Sequence, residues 1–194
     1  MLRSVCIATA LALAAQPAAA EVVAQSEAGF VTRAAVTVKA DPAAAWLALV
    51  APNQWWNGEH TYSGDPTNLY IDPQATGCFC EKLPATKDAP AGARPGSIEH
   101  MHVIYAAPAR VLRMSGGLGP LQSEAVKATL TITLKPVDGG TRILWEYVVG
   151  GYMRQKMPEL APLVDKVLLE QLTRLRDKLG AAEGETPPAA DNKE

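Results

Sequence analysis

From Ala125 to Lys135 the chain alternates without a break. Val126, Ala128, Leu130, Ile132 and Leu134 fall on one face, and Lys127, Thr129, Thr131, Thr133 and Lys135 on the other. A period of two is that of a strand with one buried face. Pro136 to Gly140 supplies a turn, and Ile143, Trp145, Tyr147 and Val149 continue the apolar face on a return strand, which predicts a hairpin. Phe30 to Lys39 alternates in the same way. Shorter strand signals, separated by Gly and Pro clusters, cover Asn68 to Ile71, Gly77 to Leu83, Ser97 to Tyr105 and Val111 to Ser115.

Other segments read as helix instead. Asp41-Pro42 offers an N-cap and a first-turn proline for a helix over Ala43 to Val50, which Pro52 ends. A second short helix is expected to hold Trp55 and Trp56. Near the end, Leu160, Leu163, Val164, Val167, Leu168, Leu172, Leu175 and Leu179 make an apolar stripe of about five turns. Pro162 is expected in its first turn, Glu170 and Arg174 can pair one turn apart, and Gly180 suits its C-terminal end. Strand, two short helices, six strands and a long helix predict an α+β domain: a curved antiparallel sheet of about six or seven strands wrapped around a C-terminal helix. Space between two such layers is a natural ligand site.

The first 20 residues stand apart. Arg3, the apolar run Val5 to Ala15 and Ala18-Ala19-Ala20 form the charged, apolar and small-residue regions of a secretory signal peptide, with cleavage expected near Ala20. The apolar run is too short for a ~30 Å hydrocarbon layer, and no later stretch reaches the roughly 20 apolar residues of a membrane helix. The expected organisation is a signal peptide over residues 1–20, one domain over 21–180 and a disordered tail over 181–194, in a periplasmic or secreted protein. Between Glu21 and Gly180 sixteen acidic residues balance sixteen basic ones. No field of one sign draws nucleic acid or an anionic membrane. Cys78 and Cys80, two apart on an extended strand, would lie about 6–7 Å from one another, beyond ordinary disulfide geometry. Free thiols, or failing that a strained bond, are expected.

The order of elements, with Asp41-Pro42, Trp55-Trp56, Gly77-Cys78-Phe79, Ala107-Pro108 before Val111-Leu112, and the turn Pro136 to Arg142, resembles the SRPBCC/START-like (Bet v1-like, helix-grip) superfamily. The resemblance covers Phe30 to Leu179 and is nearest to the branch related to activators of Hsp90 ATPase and polyketide cyclase/dehydrase-like proteins. The strings His60 to Gly64, Gly77 to Glu81 and Met114 to Gln122 resemble an exported bacterial subgroup. The resemblance implies the helix-grip fold. It implies no single activity, since the superfamily spans lipid carriers, receptors, cyclases and cochaperones.

The three histidines, His60, His100 and His102, gather near the cysteine strand. A symmetric hairpin would put Cys80 opposite His100 and Cys78 opposite His102, with all four on one face. Thiolate and imidazole suit zinc or copper, but ligands two apart on a strand are widely spaced for a tetrahedral site, so no firm metal site is assigned. Parity leaves the buried face open: Phe79, Met101 and Val103 argue for one, Ile98 and Ile104 for the other. As acids or bases, His60, His100 and His102 would need Tyr62, Tyr105 or Glu81 as partner. The expected pocket residues are Trp55, Trp56, His60, Tyr62, Tyr105, Met114, Tyr147, Tyr152, Val164 and Leu168, with Trp145 in the core. No cofactor is expected. The leading reading is a carrier of a small hydrophobic molecule, ahead of a cyclase- or isomerase-like enzyme and of a cochaperone-like module with an unknown protein partner.

Overall fold

The computed structural model describes residues 21–183; the expected signal peptide and residues 184–194 lie outside that span. Eight strands form one antiparallel sheet: β1 Glu21–Ser26, β2 Gly29–Val38, β3 Leu69–Ile71, β4 Cys78–Leu83, β5 Gly96–Ala107, β6 Val111–Ser115, β7 Ala125–Val137 and β8 Gly140–Tyr152. Their order is β1-β2-β8-β7-β6-β5-β4-β3, so every neighbouring pair except β2–β8 is consecutive in the chain. Two helices complete the fold, α1 Pro42–Leu49 and α2 Met157–Leu179. An α+β helix-grip architecture results, with a curved sheet and a long C-terminal helix.

The predicted alternation is realised. Ala128, Leu130, Ile132 and Leu134 of β7 are buried and pair across from Val149, Tyr147, Trp145 and Ile143 of β8. The connecting turn is tighter than expected, because the strands run on to Val137 and Gly140 and leave only Asp138-Gly139 between them. Gly139 takes φ 76°, a left-handed conformation that glycine adopts without steric cost. The strand missing from the sequence reading is β1, where Val22, Val23 and Ala24 carry no clear alternation and a register shift falls between Val22 and Ala24.

Asp41 caps α1 as expected, its Oδ1 accepting from Ala43 N at 2.9 Å and Ala44 N at 2.8 Å. The second short helix is corrected. It is a single 3-10 turn over Pro52–Gln54 that stops just before Trp55 and Trp56, and two further such turns cover Gly58–His60 and Pro66–Asn68. Helix α2 begins three residues earlier than read, so Pro162 lies in its second turn, one turn after Pro158. Gly180 ends it with φ 78°. The tail expectation is corrected at its start: Ala181 bridges to Val38 and Ala182 N donates to Thr37 O at 3.1 Å, extending the grip of the chain end on β2.

Candidate functional site

Three side chains of α2 fix the segment that follows α1. Arg174 Nε donates to Trp55 O at 2.8 Å, Gln171 Oε1 accepts from Asn57 N at 2.8 Å, and Glu170 Oε1 accepts from Asn57 Nδ2 at 2.6 Å. Glu170 Oε2 also meets His60 Nε2 at 3.1 Å. The expected Glu170–Arg174 pair does not form, since both side chains are committed to the 55–60 segment. Trp56 Nε1 donates to His60 O at 3.0 Å and closes the turn from within.

A second segment faces it. Gly116, with φ 156°, lies so close to β5 that a Cβ there would stand 2.7 Å from His100 O and 2.9 Å from Met101 Cα. Tyr147, buried in β8, accepts from Leu118 N at 3.1 Å and donates to Gly116 O at 3.2 Å. Leu121 is buried beneath the next turn. The loop is thus braced on the sheet, and it turns Leu118, Gly119 and Pro120 towards α2.

Between these two segments and the first three turns of α2 lies a half-open cavity of about 460 Å³. Its walls are Leu160, Leu163, Val164, Val167 and Leu168 of α2, Leu118, Gly119 and Pro120 of the loop, Trp56, Glu59, His60, Thr61 and Tyr62 of the turn, and His100 of β5. The wall is mainly apolar, and no lysine or arginine is among these residues.

One buried polar pair underlies the wall. Glu81 of β4 is fully buried and His100 nearly so, with His100 Nε2 at 2.9 Å from Glu81 Oε2. The carboxylate also accepts from Tyr62 N at 3.1 Å and Ser63 N at 2.5 Å. Burial pushes the Glu81 pKa up, but the hydrogen bonds from Ser63, Tyr62 and His100 outweigh it and hold the group below the ordinary carboxylate value. For His100, burial pushes the pKa down and outweighs the bond to and charge of Glu81, so the imidazole is neutral near pH 7. An ionised carboxylate only accepts, which assigns the imidazole proton to Nε2. Phe79, 4.9 Å away between ring centroids, packs against the imidazole.

The pair exists because of a bulge. Cys78 stands opposite His102 as the symmetric register requires, but the register shifts between Phe79 and Cys80, so Cys80 stands opposite Glu99 rather than His100. His100 is itself the extra residue of β5 and turns inwards beside Met101, and both burial alternatives are partly realised: Phe79, Met101, Val103 and His100 are buried, while Ile104 is exposed. Cys78 and Cys80 are joined in a disulfide with Cα atoms 5.4 Å apart, which corrects the expectation of free thiols. Their Cα atoms lie nearer than the roughly 6–7 Å of a regular strand, which brings the pair within disulfide reach. The four residues weighed as a metal set do not come together: the sulfurs hold each other, His100 holds Glu81, and His102 lies 3.7 Å from Glu99. Among the described residues no group of three or more His, Cys, Asp or Glu side chains converges.

Of the expected pocket residues, Trp56, His60, Tyr62, Val164 and Leu168 line the cavity. Trp55 does not: it is buried against Trp145 with its Nε1 donating to Ala48 O at 2.9 Å. Met114 and Tyr147 are core, the latter bracing the loop. Tyr105 is exposed with the Arg113 guanidinium over its ring, and Tyr152 is 73% exposed at a strand end. The sequence reading missed Leu118, Gly119 and Pro120. It contained Leu160, Leu163 and Val167 as helical stripe, but assigned only Val164 and Leu168 to the pocket.

The fold recurs in solved structures. A protein from Mesorhizobium loti aligns with a TM-score of 0.50 at 14% identity, over 76% of this chain and 94% of its own. An uncharacterised protein from Rhizobium leguminosarum gives 0.50 at 17% identity, over 77% and 93%. A conserved protein of unknown function from Enterococcus faecalis gives 0.51 at 12%, over 86% and 80%. At these identities the likeness is one of fold. Neither a protein-family profile nor a curated protein sequence matches the chain. Among the described residues no helix is long and apolar enough to cross a membrane.

Proposed function

We propose that the protein is an exported binding protein or carrier for a small hydrophobic molecule. The observation that carries this reading is the cavity of about 460 Å³ against α2, whose wall is mainly apolar side chains. Its size falls in the range of small-ligand sites, and Leu163, 61% exposed, leaves apolar surface that a ligand would cover. The leader-like residues 1–20 and the Cys78–Cys80 disulfide support export, since disulfides persist in oxidising compartments.

Native mass spectrometry of the mature protein from its own host, before and after denaturation, tests the reading. A mass excess released on denaturation is expected. Val164→Trp, which fills the cavity, should abolish that excess without unfolding the protein; an excess that survives it would overturn the reading.

The His100–Glu81 pair favours a second reading, a cyclase- or isomerase-like enzyme. A neutral imidazole oriented by a buried carboxylate is the arrangement of a general base. Of the histidines considered from the sequence, His100 alone has that support. Turnover of an enolisable or cyclising substrate that is lost in His100→Gln would favour it over the carrier.

A further inference from the structure

The cavity wall is sparing with hydrogen-bonding groups, and most of those it has are already engaged. Thr61 Oγ1 donates to Gly58 O at 2.7 Å. Tyr62 Oη lies 3.3 Å from both Gly119 O and Gln122 Oε1. His60 is held by Glu170 at the rim, where a third of its side chain is exposed. Glu59 is exposed.

His100 differs from all of these. Its Nε2 donates to Glu81, and its Nδ1 has no hydrogen-bond partner among the described residues. Nor is Nδ1 one of the buried polar atoms left unpaired, which are Trp145 Nε1, Gln171 Nε2 and Arg176 Nη1. It therefore keeps contact with open space, and the space that His100 borders is the cavity. With the proton on Nε2, Nδ1 presents a lone pair, which can accept a hydrogen bond and cannot give one.

We infer that His100 Nδ1 is the polar subsite of this cavity, and that the molecule it takes is neutral, with an apolar body and one hydroxyl that donates to Nδ1. This inference rests on the cavity being a ligand site. Charge supports the neutrality: Glu81, Glu59 and Glu170 stand in or behind the wall, and no lysine or arginine lines it to balance an acid. An ionised fatty acid or phosphate ester would bring a second negative charge to a buried carboxylate, separated from it by one imidazole ring. A phenol or alcohol meets neither obstacle. Its hydroxyl would extend a chain of hydrogen bonds from ligand to imidazole to carboxylate, each group polarising the next.

The test compares naphthalene, 2-naphthol and 2-naphthoate at pH 7.5 by nuclear magnetic resonance titration of isotopically labelled protein, with the imidazole nitrogens observed directly. All three share one apolar body and differ only in the polar group. The expected result is that 2-naphthol binds about tenfold tighter than naphthalene, the factor that one buried hydrogen bond supplies. Its binding should move the unprotonated His100 nitrogen resonance in the direction of an accepted hydrogen bond, and 2-naphthoate should bind more weakly than naphthalene. His100→Phe, which keeps a flat ring in place, should reduce 2-naphthol to the level of naphthalene. The nitrogen signature needs no variant, so it decides the matter even where His100→Phe fails to fold. Equal binding of naphthalene and 2-naphthol, or a preference for 2-naphthoate, would overturn the hydroxyl subsite and leave the hydrophobic site standing. Binding of none of the three would overturn both.

Discussion

Tyr147 Oη lies 3.1 Å from the backbone nitrogen of Leu118, so a core residue of the sheet holds one wall of the cavity in place. The same hydroxyl donates to Gly116 O, and burial keeps its pKa well above the ordinary tyrosine value, only partly offset by the Leu118 N–H. Tyr147→Phe removes a single atom and strands two backbone groups. It should cost about 1–3 kcal/mol in urea denaturation. Amide exchange at Leu118 should accelerate in the same variant by more than global unfolding explains.

Acid should destabilise the fold in two stages. The folded-state pKa of His100 lies below its ordinary 6.5, so the unfolded chain takes up that proton first, and stability declines as pH falls through 6.5. Glu81 has a folded pKa below 4.5, so its contribution is fully present above 4.5 and is lost as pH falls further. Urea midpoints measured against pH should show both stages. His100→Gln, which keeps an N–H donor for Glu81, should remove the upper stage alone.

Leu163 separates binding from stability. At 61% exposure it contributes little to the core, and Leu163→Ala should change stability by no more than about 0.5 kcal/mol. It lines the cavity, so a bound apolar ligand should lose about 1 kcal/mol, roughly fivefold in affinity, through lost contact area. Calorimetry or fluorescence titration beside a denaturation curve checks both halves.

The Cys78–Cys80 disulfide closes a loop of three residues, too short to restrict the unfolded chain strongly. On the loop-entropy argument its removal in Cys78→Ser/Cys80→Ser costs about 1.5 kcal/mol. A much larger loss in denaturation experiments would mean that the bond also holds the bulge, and with it the inward turn of His100.

The residues that were legible in the sequence are those whose neighbours obey a period. Leu130, Ile132 and Leu134 declare a buried strand face, Asp41-Pro42 declares a helix start, and Leu160 to Leu179 declare an amphipathic helix. The site was legible only where it borrows such an element: Val164 and Leu168 belong to the helical stripe. The bulge at Phe79/Cys80 breaks a period without any residue that announces it, and a one-residue slip was enough to separate His100 from the cysteines and give it to Glu81. Leu118, Gly119 and Pro120 were missed for another reason. Their position depends on Tyr147, which lies 29 residues from Leu118 in the chain. Trp55 and Trp56 show how little adjacency means: one ring points into the core and its neighbour into the cavity.

The two prolines near the start of α2 give that helix an uneven firmness. Pro162 cannot donate to the carbonyl of Pro158, so the second turn lacks a rung that the rest of the helix has. Leu160, Leu163 and Val164, which form much of the cavity wall, sit on this weakened stretch, whereas Glu170, Gln171 and Arg174 clamp the later turns to the 55–60 segment. The later turns are thus tied to the 55–60 segment by side chains, whereas the turns that wall the cavity are held by the burial of Met157, Leu160 and Ala161 rather than by a complete ladder.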